Sequence, residues 1–162
     1  MAVRILVTGG TFDKEYDEIN GRLYFKDTHV DEILKLGRCN LSTVATTLMM
    51  IDSLEMEDSH RQNIIEHCNN CGENKIVITH GTDTMATTAA VLGAAALNKT
   101  IVLTGALVPY KFGSSDGLFN LGSALAFVQA LPAGVYVAMN GRYFNWDNVR
   151  KNKQTGVFEE VK

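Results

Sequence analysis

The chain has 162 residues, 46% of them hydrophobic and 20% charged, which excludes an intrinsically disordered protein and suits one domain. Fifteen Lys and Arg against eighteen Asp and Glu give a net charge of −3, so we expect no nucleic-acid partner. Three Cys are too few for a disulfide framework and favour a reduced, cytoplasmic compartment, and we expect neither a targeting segment nor a membrane span.

The first half of the chain is predicted to form strands that alternate with helices. Residues 3–8 are β-rich and mostly apolar, as in a buried parallel strand, and they end at Gly9-Gly10. Asn20-Gly21 predicts a turn that leads into a short strand over 22–25. The pattern then predicts, in chain order, a helix over 28–36, a strand over 41–51 and a helix over 58–69.

The second half continues the alternation. A strand is predicted over 75–79, followed by a helix over 83–97 whose Ala-rich sequence has almost no polar face, so we expect this helix to be buried. After this helix the pattern predicts a strand over 100–104, a helix over 116–131 and a strand over 135–139. The last twenty residues are polar, and Val157 and Phe158 are expected in an edge strand.

Strands separated by helices indicate βαβ units. We therefore predict an α/β fold, with a Rossmann-like, mostly parallel sheet and helices on both of its faces. No internal repeat or linker interrupts the sequence, so we predict a single domain over residues 1–162. Ligands of such folds bind outside the carboxyl ends of the strands, which places the candidate site in the loops that follow them.

Hydroxyl and carboxylate side chains recur in those loops. Thr8-Gly9-Gly10-Thr11 follows the first strand, and its Gly turn would expose the Thr11 hydroxyl and bring backbone N–H groups near a ligand. Ser53 follows the second strand, and Thr82 and Asp83 follow the third at an expected helix N-terminus, where the helix dipole keeps Asp ionised.

A threonine becomes a nucleophile only when a nearby base removes its proton. A lysine can be that base if burial and neighbouring cations lower its pKa. Lys151 is the candidate, because Arg150 and Lys153 supply cationic neighbours. An ionised Asp83 would have the opposite effect, and the sequence leaves open which effect wins. A metal site is not expected, because such a site needs about four ligands and Cys68 and Cys71 form an isolated Cys-x-x-Cys motif.

Several motifs together resemble the N-terminal domain of the bacterial-type L-asparaginase/glutaminase family. The resemblance covers essentially the whole chain and implies an amidohydrolase: asparagine, or a related small amide, would be converted to the acid and ammonia through a threonine acyl-enzyme, without a cofactor. The motifs, in the family's order, are Thr8-Gly9-Gly10-Thr11, His80-Gly81-Thr82-Asp83-Thr84-Met85, Thr104-Gly105-Ala106, Ser115-Asp116-Gly117 with Phe119-Asn120-Leu121, and Met139-Asn140-Gly141.

The resemblance also implies roles for individual residues. The family's first catalytic threonine falls on Thr11, and its lysine falls on Lys151, with Lys153 as the weaker choice. The tyrosine that assists the first threonine falls on Tyr24, with Tyr16 as the alternative because loop lengths vary. The second threonine and its aspartate fall on Thr82 and Asp83, and the substrate-binding positions fall on Gly10, Ser53, Gly81, Thr82, Asp83 and Ala106.

The sequence also departs from the family. Its members are usually much longer, and a second domain completes their substrate pocket. Leu54 stands where a polar or small residue commonly follows the serine, and Phe12 replaces the usual aliphatic residue after the first threonine. These departures support a second hypothesis, a non-catalytic amino-acid-binding module or a subunit of a larger amidase. We expect a homo-oligomer, because the open edge leaves the pocket half built.

Overall fold

The computed structural model describes all 162 residues. The chain forms ten strands and four helices, among them the strands and helices that the hydrophobic pattern indicates. In chain order they are β1 (Ala2–Gly9), β2 (Lys14–Asp17), β3 (Arg22–Phe25), α1 (Val30–Leu36), β4 (Ser42–Ile51), α2 (Asp58–Asn70), β5 (Lys75–Thr79), α3 (Met85–Ala94), β6 (Thr100–Thr104), α4 (Gly117–Ala130), β7 (Gly134–Met139), β8 (Arg142–Asn145), β9 (Arg150–Lys151) and β10 (Phe158–Glu159). Strands β2, β8 and β9 are additional strands that the pattern does not predict.

Six strands form the main sheet in the order β4-β1-β5-β6-β7-β8. The first five are parallel, and β8 runs antiparallel to β7. The predicted α/β fold with a mostly parallel sheet is therefore confirmed. Strand β4 pairs with one edge of β1 and β5 with the other, so the winding direction reverses between β1 and β5. The crevice at such a reversal is where open α/β sheets bind their ligands.

Helices cover both faces of the sheet. Leu92 of α3 packs on one face with Ile76 of β5 and with residues of α2, and Leu121 of α4 packs on the other face with Val77 and with residues of α1. Because both faces are covered, the central strands consist of continuous apolar residues. The longest helix, α4, has 14 residues, and no helix is long and apolar enough to span a membrane.

The start of α3 differs from the prediction. The helix begins at Met85 rather than at Asp83, and it ends at Ala94 rather than at residue 97. The reason lies outside the helix: the Thr84 hydroxyl donates a hydrogen bond to Ser53 O at 2.8 Å, and Thr84 N–H donates one to Ser53 Oγ at 3.2 Å. These contacts hold Thr84 against the loop of Ser53, and Thr84 does not take helical geometry.

The hairpin of β2 and β3 contains an arm that the sequence does not predict. Strand β2 is polar, with the sequence Lys-Glu-Tyr-Asp, so no apolar alternation marks it. It pairs antiparallel with β3, the arm that Asn20-Gly21 does predict, and the two form a separate sheet. The strand expected at Val157 and Phe158 is present in part: β10 begins at Phe158, which pairs with Lys151 of β9 in a separate two-stranded sheet, and Val157 lies outside it.

Candidate active site

Glycines bring three strand-end loops into contact. Gly10 follows β1 with φ of +74°, and its N–H donates a hydrogen bond to Ile51 O at 2.9 Å. A Cβ on Gly10 would lie 2.4 Å from Gly81 N, and a Cβ on Gly81 would lie 2.5 Å from Ser53 Cβ. Only residues without a side chain allow this approach, so the two glycines predicted as binding positions determine how closely the loops after β1, β4 and β5 meet.

Gly10→Ala is expected to lower the free energy of unfolding by about 2 kcal/mol or more. The added Cβ meets the Gly81 backbone, and the alanine would have to keep the positive φ of Gly10. Gly122→Ala is the matched control: its Cβ meets nothing within 4 Å inside α4, and we expect it to stabilise by about 0.5–1 kcal/mol. Urea unfolding measures both. A Gly10→Ala variant as stable as the parent protein would contradict the close approach of the loops.

Lys151 joins the two predicted site residues after β5. Its Nζ donates a hydrogen bond to Thr82 Oγ1 at 2.8 Å and lies 3.0 Å from Asp83 Oδ1. Thr82 is buried, the Lys151 side chain is 17% exposed and that of Asp83 is 44% exposed. Lys153, the alternative, is exposed and makes no such contact. Because Thr82 Oγ1 accepts from the lysine, its own proton remains available to a ligand.

Thr11 offers a free hydroxyl next to Gly10. It opens a 3₁₀ turn over Thr11–Asp13, it is half-buried, and its side chain makes no hydrogen bond within the chain. The turn is anchored by the fully buried Phe12 and by Asp13 Oδ1, which accepts the N–H of His29 at 2.8 Å. Burial raises the pKa of the Asp13 carboxyl. The anchors fix the turn without using the Thr11 hydroxyl.

Ser53 is buried between the loops. Its Oγ accepts the N–H of Thr84, so its own hydrogen is free to reach a ligand. The turn that contains it is capped by Asp52, whose Oδ1 accepts the N–H of Leu54 at 3.0 Å. Leu54 itself is 72% exposed, which leaves an apolar side chain beside the predicted substrate-binding serine.

The two candidate tyrosines lie on opposite faces of the hairpin. Tyr24 pairs with Glu15 and Tyr16 pairs with Leu23 in the antiparallel register, so neighbouring pairs alternate between the faces. Tyr24 is 39% exposed and Tyr16 is 53% exposed. Neither hydroxyl forms a hydrogen bond with Thr11, so the assisting role of Tyr24 stays a prediction.

The loop after β6 is held by side chains whose role the sequence does not reveal. The carboxylate of Asp116 accepts the N–H groups of Leu107 at 2.9 Å and Val108 at 3.0 Å. Asn120 Nδ2 donates a hydrogen bond to Gly105 O at 2.9 Å. These contacts place the buried Ala106, another predicted binding position, beside the other strand ends. The motif at residues 115–120 therefore holds the loop after β6 in place through hydrogen bonds.

A buried hydrogen-bond network holds the loop that contains Thr82 on its interior side. Arg61 Nε donates to Thr88 Oγ1 at 3.0 Å, the Thr88 hydroxyl donates to His80 Nε2 at 2.8 Å, and His80 Nδ1–H donates to Gly81 O at 2.7 Å. Burial lowers the pKa of His80 to about 4, so the ring is neutral in the folded protein. The network holds the Gly81 carbonyl in the interior.

We expect the free energy of unfolding to fall by up to about 3 kcal/mol as the pH drops from about 6.5 towards 4. In this window His80 takes up a proton in the unfolded chain and stays neutral in the folded one, so the unfolded state binds more protons and stability rises with pH. His80→Asn is expected to flatten this slope in urea unfolding across the window. His67→Asn, at an exposed histidine, is the control, and a slope unchanged by His80→Asn would contradict the assignment.

The site is an open edge of the sheet. Clefts of 230 to 480 Å³ lie elsewhere on the molecule, and none of five such clefts is lined by Thr11, Ser53, Thr82 or Asp83. The loops after four neighbouring strands thus meet on one side of the molecule, where Thr11 is half-buried and Asp83 is exposed.

The family described as "Asparaginase, N-terminal" matches residues 2–159. The chain belongs to this family. It is 32% identical over 165 residues to L-asparaginase 2 of Escherichia coli (strain K12), a match that covers 96% of this chain and 47% of that protein. It is 33% identical over 150 residues to a subunit of the glutamyl-tRNA(Gln) amidotransferase of Pyrococcus furiosus, covering 86% of this chain and 33% of that protein.

The fold agrees with this membership. The structure of the thermostable L-asparaginase from Thermococcus kodakarensis matches 99% of this chain with a TM-score of 0.86 and 28% sequence identity. The match covers 51% of that protein. The chain therefore spans about half the length of the asparaginases that it matches from end to end.

Proposed function

We propose that the chain hydrolyses the amide of asparagine, or of a related small molecule, to the acid and ammonia through a threonine acyl-enzyme. The observation that carries the proposal is the contact of Lys151 with both Thr82 and Asp83, at the same edge of the sheet as the unbonded hydroxyl of Thr11. Membership of the asparaginase family supports the substrate class.

In the first step the Thr11 oxygen forms a bond to the amide carbon, and its proton leaves with the help of Tyr24. The amide nitrogen receives a proton and departs as ammonia, which leaves an ester on Thr11. In the second step water adds to the ester carbon, and the Thr11 oxygen regains a proton as the acid leaves. Thr82, Asp83 and Lys151 transfer the proton between water and the reacting groups.

A backbone N–H supports the oxyanion that forms in both steps. Gly81 O accepts the His80 ring in the interior, and in a trans peptide the N–H points away from the carbonyl. The N–H of Thr82 therefore points towards the open edge, and it has no partner within the chain. A fixed donor of this kind stabilises negative charge where it develops.

Ammonia release from L-asparagine, L-glutamine, D-asparagine and short amide peptides tests the proposal. Release above the background of a Thr11→Ala sample would support it and would identify the substrate. A folded parent protein that releases no ammonia from any of these amides would refute it.

The openness of the edge favours a second candidate, a subunit of a larger amidase or an amino-acid-binding module. Asp83 is 44% exposed and Leu54 is 72% exposed, and one relative is named as an amidotransferase subunit. Calorimetric titration with asparagine and aspartate would detect binding without turnover. The homo-oligomer and the single domain over residues 1–162 stay predictions, and light scattering tests the first.

A further inference from the structure

We propose that Lys14 and Asp52 form a tether that holds the β2–β3 hairpin against the turn of Ser53, which makes both of them positioning residues. The structural part of this inference rests on geometry alone. Its kinetic part rests on the proposed function, because it concerns the tyrosine that would assist Thr11.

The hairpin needs an anchor. A two-stranded hairpin is at best marginally stable by itself, and β2 and β3 pair only with each other. Its far end is exposed to solvent, since Ile19 is 85% exposed, and the tyrosines along its two strands are exposed as well, Tyr16 to 53% and Tyr24 to 39%. Besides the contacts at its base, the hairpin has contacts of β2 with the turn of Tyr110–Phe112, so both sets of contacts bear on the direction in which it leaves the sheet.

Lys14 supplies such a contact at the base. Its Nζ lies 2.5 Å from Asp52 Oδ2, and the two side chains are only 16% and 32% exposed. The same Nζ lies 5.7 Å from the ring centroid of Phe25, its cross-strand partner. The hydrogen bond from Lys14 lowers the pKa of the Asp52 carboxyl and keeps it charged. Partial removal from water makes this pair stronger than a fully exposed one.

The tether reaches the candidate site from two sides. The backbone N–H of Lys14 donates a hydrogen bond to Thr11 O, so the lysine also closes the turn of the proposed nucleophile. Asp52 caps the turn of Ser53, and Ser53 in turn binds Thr84. One ion pair thus links the loops after β1 and β4.

The strand ends themselves are joined without the tether, because Gly10 N–H donates a hydrogen bond to Ile51 O. What the ion pair adds is a constraint on the orientation of the hairpin, beside the contacts of β2 with the turn of Tyr110–Phe112. Loss of the pair would therefore leave Thr11 and the sheet in place and would free Tyr24. A tyrosine that acts only in the chemical step affects kcat more than KM.

Amide hydrogen exchange tests the tether directly in Lys14→Met and Asp52→Asn. We expect exchange at residues 14–25 to become about threefold faster, or more, and exchange in the main sheet to stay unchanged. Lys14→Arg keeps the cation and should restore protection. Lys162→Met is the matched control, since it removes another Lys–Asp pair, with Asp147 at 3.5 Å and more exposed side chains. Unchanged hairpin exchange in Lys14→Met and Asp52→Asn would overturn the tether.

The kinetic part is tested on the substrate that releases ammonia. Lys14→Met is expected to lower kcat about tenfold while KM stays within about twofold, and Lys14→Arg to recover most of the loss. A variant with faster hairpin exchange but unchanged kcat would overturn the positioning role. If exchange rises and the parent protein releases no ammonia, the tether stands and the proposed function fails.

Discussion

Thr11→Ala is expected to lower kcat for ammonia release by more than about 10³-fold, because alanine has no oxygen that can form the acyl bond. The hydroxyl makes no hydrogen bond within the chain, and the turn is anchored by Phe12 and Asp13. The substitution should therefore leave the thermal midpoint of unfolding unchanged. Steady-state ammonia assays on the best amide of the panel, together with thermal unfolding, measure both effects.

Thr11→Ser is the control, because it keeps a nucleophilic oxygen and should retain measurable activity. Thr82→Ala distinguishes the two threonines: it removes the partner of Lys151 but leaves the proposed nucleophile. An active Thr11→Ala protein beside an inactive Thr82→Ala protein would contradict the assignment and would make Thr82 the attacking residue.

Lys151→Met is expected to lower kcat by about 10²- to 10⁴-fold, the range for loss of a proton-transfer group. Methionine keeps most of the side-chain volume but cannot bind Thr82 Oγ1 or Asp83 Oδ1. The effect on stability should be small, because Asp83 is 44% exposed and water can replace its partner. The assay and the unfolding measurement are those used for Thr11.

Lys153→Met is the matched control for this prediction. It removes the same charge two residues away, at an exposed side chain without a contact to the site. We expect its kcat to equal that of the parent protein. Equal losses in the two variants would show that the charge of the segment matters rather than the contact with Thr82, and would contradict the proposed proton transfer.

The five parallel strands of the main sheet and its helices could be predicted because their signals are local, whereas the antiparallel strand β8 was not predicted. Apolar runs such as residues 75–79 and 100–104 indicate buried strands wherever they occur in an α/β chain. Strand β2 could not be predicted in this way, since its residues are polar and its pairing with β3 depends on the turn at Asn20-Gly21. The start of α3 depends on Ser53, which is 31 residues from Thr84 in sequence.

The candidate site likewise has parts that could be predicted from the sequence and parts that could not. The sequence alone placed Thr11, Ser53 and Thr82 at the carboxyl ends of three strands, which in a parallel sheet lie at one edge. It left Lys151 and Lys153 as alternatives, since both lie in one polar segment. The contact of Lys151 with Thr82 spans 69 residues and depends on the pairing of β9 with β10.

The sequence by itself determined the fold class, the family and the loops in which the site residues lie, because hydrophobic periodicity and short motifs are properties of neighbouring residues. Only the tertiary structure decided which lysine meets Thr82, how closely Gly10 approaches Gly81, and that Lys14 reaches Asp52 across 38 residues. Such contacts arise when distant segments pack together, and their geometry is set by the whole sheet rather than by any local pattern.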